Sequence, residues 1–175
     1  MKRINSFKEI MKRTLLLPLL LCSFGIALAG DLPDPSLTPG AVDPSINQDN
    51  IQQTICVRGY TKTMRPPAHY TNGLKKHQIR EYGYSDRNPK HYEEDHLIPL
   101  SLGGNPTDVR NLWPEPRKSE WGAEKKDQLE FVLYRMVCRG EISLQDAQQA
   151  ISSNWIDAWN RYVPNHQKYK FHKID

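Results

Sequence analysis

The stretch Glu93–Gly104 (EEDHLIPLSLGG) places three consecutive carboxylates beside a histidine and ends in two glycines. An imidazole with an ordinary pKa of about 6.5 can take a proton from water at neutral pH, and carboxylate oxygens hold hard cations such as Mg²⁺. Asp95 and His96 are therefore candidates for acid–base and metal chemistry. Neighbours in a regular strand point to opposite faces, so they can act together only where the strand ends, and Pro99 supplies that ending.

The surrounding sequence predicts a hairpin that positions this pair. Residues 91–97 are predicted to form a short strand, and the turn-forming residues 101–108 follow it. Residues 109–113 are predicted to return as a second strand that is halted by Pro114 and Pro116. The sequence therefore predicts a hairpin whose long loop contains glycine.

A helix is predicted after the hairpin, from about residue 119 to Gly140. Its apolar residues recur at helical spacing, at Leu129, Val132, Leu133, Met136 and Val137. The order along the chain is thus strand, loop, strand and helix.

DHLIPLSLGG followed by NLWP and a helix resembles the HNH endonucleases, also called ββα-metal or His-Me finger nucleases. The likeness is strongest to a bacterial subgroup with EDHLIPL and NLWPEP, and the segments GYTKTMRPP and YTNGLKKHQIREYGY resemble the same subgroup. The resemblance implies an α+β fold in which a ββα-metal hairpin and helix are joined by additional packing helices. It also implies hydrolysis of phosphodiester bonds in nucleic acid.

The resemblance implies a role for each matching position. Asp95 matches the acidic metal ligand, and His96 matches the general base. Asn111 matches the asparagine that braces the hairpin loop and keeps the histidine oriented. The implied cofactor is a divalent metal, with Mg²⁺ preferred and Mn²⁺ or Zn²⁺ as alternatives.

The second metal ligand is left open by the sequence, because the family's third signature position is not a histidine here. Glu120, Glu124 and Asp127 are the available acids early in the predicted helix. Asp127 is preferred because it lies nearer than the two glutamates to the apolar face of the helical wheel.

Positive charge is concentrated between Arg58 and Lys90, where tyrosines are interleaved with basic residues. Such a mixture suits a surface that binds phosphates and stacks bases, and a solvated helix face is the alternative. Arg80, Arg87 or Arg110 is expected to steady the transition state. The candidate nucleic-acid-binding residues are Lys75, Lys76, Arg80, Arg87 and Arg110.

Residues 1–29 are predicted to be an export signal, because a basic start precedes an uncharged apolar run that ends in small residues. The run is shorter than the roughly 20 apolar residues that span a bilayer. We therefore expect no stable membrane insertion after cleavage, with a retained anchor as the alternative. Met11 is an alternative start, and the expected location is the bacterial periplasm or the secreted fraction.

The rest of the chain is expected to contain a linker, one domain and a tail. Residues 30–53 carry four prolines, four aspartates and no basic residue, which predicts a flexible acidic linker. The HNH-like nuclease domain is expected over residues 54–165, and residues 166–175 form a basic tail. The net charge of +4 does not indicate a partner, since basic and acidic residues are equal in number beyond residue 29.

Removal of the signal leaves Cys56 and Cys138 in an oxidising compartment, where two cysteines usually form a disulfide. Neither has a cysteine or histidine nearby at the spacing of metal ligands, so a structural bridge is preferred to a metal site.

The hypothesis from the sequence is an exported, metal-dependent endonuclease of low sequence specificity that acts on nucleic acid, with DNA favoured over RNA. Low specificity is expected because no helix-turn-helix, zinc-finger or RRM signature is present. An inhibitor protein is left open. The alternatives are a non-catalytic module that binds nucleic acid or another polyanion, and a disulfide-stapled envelope protein with a structural metal.

Overall fold

Helices and a two-stranded antiparallel sheet make up the part of the chain that the computed structural model describes, residues 30–166 and Tyr169. This mixture fits the α+β class. The predicted signal and most of the predicted basic tail lie outside the described residues. The elements are α1 (Tyr60–Met64), α2 (Ala68–Glu81), β1 (Tyr92–His96), β2 (Leu112–Pro116), α3 (Ala123–Cys138) and α4 (Leu144–Tyr162).

β1 and β2 form the expected hairpin, in a register that pairs Asp95 with Trp113 and His96 with Leu112. The second strand lies later than predicted, because Val109–Asn111 forms a 3₁₀ turn in which the Asp108 carboxylate accepts from the Arg110 amide. Pro114 lies inside β2 instead of ending it, and Pro116 is the last residue of the strand. A two-stranded sheet has only edge strands, where a residue without an N–H can be tolerated.

Local signals in the sequence set the ends of the helices around the hairpin. Gly83 and Gly140 follow α2 and α3 with φ of 67° and 69°, a left-handed conformation that glycine adopts at little cost. At the start of α4, the Ser143 hydroxyl accepts from the amide of Asp146 at 3.0 Å, which satisfies one of the free N–H groups of the first turn.

The core lies between the hairpin and the helices. Trp113 of β2, Leu129 and Leu133 of α3, and Ile151 and Trp155 of α4 are each fully buried. α3 and α4 pack on each other, while α2 packs on both strands. α2 thus covers the two strands, while the 3₁₀ turn that follows β1 (Leu100–Leu102) contacts α1, α3 and α4.

The segment 30–53, expected to be a flexible linker, packs on the domain instead. Ile46 and Ile51 belong to the hydrophobic core, and Val42 forms a bridge with Gly104 in the hairpin loop. The hydroxyl of Tyr82 donates to the buried Thr38 hydroxyl at 2.6 Å. The few apolar residues of this acidic segment are spaced so that they fill gaps in the core, and the boundary expected near residue 54 is wrong.

The predicted disulfide is confirmed, since Cys56 and Cys138 are bonded across a sequence separation of 82 residues. It ties the segment before α1 to the last residue of α3. Among residues 30–166, no helix has the length and apolar character needed to cross a membrane.

Candidate active site at the end of β1

Asp95 and His96 line one small pocket at the end of β1, together with Thr61, Arg65 and Glu130. Its volume is about 40 Å³, which is room for water-sized groups. His96 is the last residue of β1, and the chain turns away beyond it. Two neighbouring side chains can thus reach the same pocket, as the argument from the strand end expects.

One ring nitrogen of His96 is hydrogen-bonded, and the other has no hydrogen-bond partner among the described residues. Its Nε2 lies 3.0 Å from the carbonyl oxygen of Pro106, and because a carbonyl only accepts, the proton is assigned to Nε2. In the neutral ring Nδ1 then carries the lone pair. The residue is 6% exposed, and this burial lowers the pKa of His96 below its ordinary value. A neutral imidazole that can accept a proton is the result.

Asn111 braces the loop that supplies the carbonyl bound by His96. Its amide nitrogen donates to the carbonyls of Ile98 at 2.9 Å and Asn105 at 3.1 Å, and its amide oxygen accepts from the Ile98 N–H at 2.9 Å. The residue is fully buried. Gly104 fits this closure, because an added Cβ would lie 1.8 Å from the Ile98 carbonyl oxygen.

Lys126 is a buried cation beside the pocket that the sequence analysis did not single out. Its ammonium donates to Oδ2 of Asp95 at 2.5 Å, to the His96 carbonyl at 2.8 Å and to Oε1 of Glu130. The Lys126 side chain is 0% exposed. All three donors of the ammonium are therefore used, two of them on carboxylates that line the pocket.

Three carboxyl groups surround this ammonium, and their pKa values move in different directions. Burial raises the pKa of Glu130 to about 8 and that of Glu115 well above its ordinary value, against the opposing charge of Lys126. Burial acts in the same sense on Asp95, but the charge and hydrogen bond of Lys126 outweigh it, so the pKa of Asp95 is lowered. Asp95 thus has the lowest pKa of the three carboxyl groups.

The carboxylates that could hold a divalent ion in the pocket are Asp95 and Glu130. Residues 30–166 contain no group of three or more His, Cys, Asp or Glu side chains arranged as metal ligands. Two carboxylates, with water and phosphate oxygens in the remaining positions, suit Mg²⁺, which keeps much of its hydration shell. Asp95 and Glu130 therefore supply oxygen donors of the type that such an ion accepts.

Glu130, and not the predicted metal ligand Asp127, lines the pocket with Asp95. Asp127 does not line the pocket, and Glu120 and Glu124 are exposed. The reason is helical geometry, since Lys126 and Glu130 are four residues apart and share the side of α3 that faces β1. Asp127 follows Lys126 directly in the chain, so its side chain leaves the helix about 100° away from that of Lys126.

Arg65, the residue that follows α1, is the arginine that lines the pocket. The arginines proposed from the sequence do not line it. Arg110 pairs with Asp108 at 2.6 Å, Arg87 donates to the Tyr84 carbonyl at 3.1 Å, and Arg80 is exposed on α2. Arg65 lies within the segment GYTKTMRPP that resembles the HNH subgroup, and this was the available signal for it.

Lys75 and Lys76 line a second depression, at the other end of β1, with Lys90 and Arg117. The predicted nucleic-acid-binding residues are therefore not brought together as one set. Two of them share this basic depression, and the three arginines lie elsewhere.

Comparisons with protein-family models, with curated proteins and with solved structures found no match to this chain.

Proposed function

We propose that this protein is an exported endonuclease that hydrolyses phosphodiester bonds with the help of a divalent cation, and that β1, β2 and α3 form a ββα-metal unit. The observation that supports the proposal is the pocket that Asp95 and His96 share, in which Nε2 of His96 is hydrogen-bonded to the Pro106 carbonyl. The disulfide supports export, because such bonds persist in oxidising compartments.

His96 is the general base in this proposal. Its neutral Nδ1 accepts a proton from the attacking water, and the Pro106 carbonyl keeps the ring in the tautomer that leaves Nδ1 unprotonated. Asn111 is a positioning residue, because it ties residues 98 and 105 together on either side of the turn that leads to Pro106.

Asp95 and Glu130 would hold the cation in this pocket, which lies beside His96. The ion would supply electrostatic stabilisation of the charge that builds on the phosphate. Lys126 orients both carboxylates by donating to one oxygen of each. Arg65 lines the same pocket, where its guanidinium would bind a phosphate oxygen. The planar set of N–H donors of a guanidinium matches the geometry of phosphate oxygens.

Cleavage of plasmid DNA by the purified protein tests the proposal. We expect cleavage with Mg²⁺ or Mn²⁺, loss of cleavage in EDTA and loss on His96→Ala. His77→Ala is the matched control, because His77 is exposed on α2 and is not in the pocket. Cleavage that persists in EDTA would remove the cation from the proposal, and full activity of His96→Ala would reject the general base.

A non-catalytic nucleic-acid-binding module is a second candidate, favoured by the position of Lys126. The ammonium lies between Asp95 and Glu130, where it competes with a metal ion for both carboxylates. This candidate predicts that the protein binds an oligonucleotide without cleaving it under any divalent ion, and that His96→Ala leaves the affinity unchanged.

A further inference from the structure

A basic depression of about 390 Å³ lies beside the first residue of β1, away from the His96 pocket. Its cations come from three separate parts of the chain. Lys75 and Lys76 lie on α2, Lys90 on the 3₁₀ turn that precedes β1, and Arg117 directly after β2. Four positive side chains that converge from separate elements form a surface suited to an anion.

Two of these cations are fixed to the fold, whereas the other two project to solvent. Lys75 donates to the Tyr92 carbonyl at 3.4 Å, and Arg117 donates to the same oxygen at 3.2 Å. Arg117 also pairs with Glu93 at 2.7 Å. Lys76 and Lys90 are exposed and form no ion pair within the described residues. The depression therefore has a surplus of positive charge that Glu93 alone does not balance.

The position of the depression relates it to the proposed active site. Tyr92, which lines it, and His96 are the two ends of β1. Four residue steps of about 3.3 Å separate them by roughly 13 Å along the strand. DNA rises by only about 3.4 Å per nucleotide of one strand along its axis, so a substrate has to extend beyond a single nucleotide to reach both sites.

We propose that this depression binds the backbone phosphates of a nucleic acid on one side of the bond that is cut. Lys76 and Lys90 provide the phosphate contacts, and Lys75 and Arg117 shape the wall through their shared bond to Tyr92. The inference rests on the proposed function, because it assigns the depression to the same substrate. Lysine contacts to phosphate hold the strand without reading its bases.

Salt-dependent binding tests the site without requiring turnover. In the His96→Ala background, fluorescence anisotropy measures the association constant K for a 12-base-pair duplex at several salt concentrations. The slope of log K against log salt concentration reports the number of phosphate contacts. We expect Lys76→Ala/Lys90→Ala to weaken binding and to make the slope less negative by about 1.8, because each phosphate contact contributes about −0.9 to the slope. Lys76→Arg/Lys90→Arg should retain most of the affinity, because the charge remains.

Arg139→Ala/Arg161→Ala is the matched control, since it removes two exposed cations from the ends of α3 and α4. We expect it to leave the slope unchanged. An unchanged slope in the Lys76/Lys90 variant, or an equal loss in the control, would overturn the proposed site.

Substrate length separates this inference from the proposed function. With catalytically competent protein, the Lys76/Lys90 variant should raise KM for the duplex far more than for bis(p-nitrophenyl) phosphate, a diester too short to reach both ends of β1. Cleavage with an equal KM effect on both substrates would reject the site and leave the nuclease proposal standing. Lysine-dependent duplex binding without cleavage would reject the nuclease proposal and leave the depression as a phosphate-binding site.

Discussion

The ammonium of Lys126 lies 2.5 Å from Oδ2 of Asp95, and the lysine side chain is 0% exposed. The contact joins α3 to the end of β1 at the residue proposed to hold the cation. A buried pair of this kind contributes little net stability as a whole, but removing one partner leaves the other charge buried and uncompensated. Lys126 therefore compensates the charge of Asp95 and donates to Glu130 within one buried cluster.

Replacing Lys126 by methionine should destabilise the fold by roughly 3–5 kcal/mol, because Asp95 and Glu130 lose the buried ammonium that donates to both of them. The measurement is the free energy of unfolding in urea. Lys118→Met is the control, since Lys118 is exposed. A Lys126→Met protein as stable as the control would show that the carboxyl cluster does not need the ammonium.

The local part of the candidate site could be predicted from the sequence, because its residues lie close together in the chain. Asp95 and His96 are neighbours at a strand end, and Asn111 closes the loop from only 13 residues after Ile98. The segment between them is rich in turn residues, so its closure follows from local chain geometry.

The residues that come from other elements could not be predicted in the same way. Lys126 stands in the charged run AEKKDQLE, and which of its charges faces the hairpin depends on how α3 is rotated about its axis. Glu130 follows from the same rotation, and Arg65 depends on where α1 packs. The packing of residues 30–53 was missed because its few apolar residues show no periodicity, although Ile46 and Ile51 enter the core.

The pH profile of cleavage should have its acidic limb below about pH 6.5, the ordinary pKa of histidine. Burial lowers the pKa of His96, so the neutral base persists to lower pH than in a free imidazole. The measurement is kcat/KM against pH with Mg²⁺ at saturation, together with the ¹H–¹⁵N signals of the imidazole. An acidic limb above pH 6.5 that coincides with protonation of His96 would contradict the role of burial.

Stability has a related dependence on pH. Because the folded pKa of His96 is lowered, the unfolded chain binds more protons in this range. The stabilising contribution of the neutral ring is present above about pH 6.5 and is lost as the pH falls through the lower folded pKa. His96→Gln should therefore show a shallower loss of unfolding free energy below pH 6.5 than the parent protein.

The disulfide should account for a large share of the stability. Cys56 and Cys138 are separated by 82 residues, and a loop of that length is expected to stabilise the fold by about 4.5 kcal/mol in the chain-entropy model. The Cys56→Ser/Cys138→Ser variant should lose about this amount in urea unfolding. In dithiothreitol the parent should fall to the stability of the variant, and a parent that is unaffected by the reductant while fully reduced would contradict the prediction.

Glu94 should make the protein less stable as the pH rises through 8. Both of its carboxylate oxygens are buried without a hydrogen-bond partner among the described residues. Burial raises the pKa of Glu94 to about 8, although the charge of Lys75 opposes this. The folded state thus holds a proton that the unfolded chain releases near pH 4.5. The contribution of protonated Glu94 to the free energy of unfolding is fully present below about pH 4.5. It is lost as the pH rises through the pKa of Glu94 in the folded state.

Glu94→Gln removes this titration, and the informative quantity is how the difference in unfolding free energy between the variant and the parent changes from pH 5 to pH 9. We expect it to move in favour of the variant by a few kcal/mol, because each unit of pKa shift corresponds to about 1.4 kcal/mol. Groups that titrate in both proteins cancel in this comparison. Glu120→Gln, at an exposed position, should show no such change. If the Glu94→Gln difference is equally independent of pH, then Glu94 is ionised in the fold and Lys75 compensates its charge.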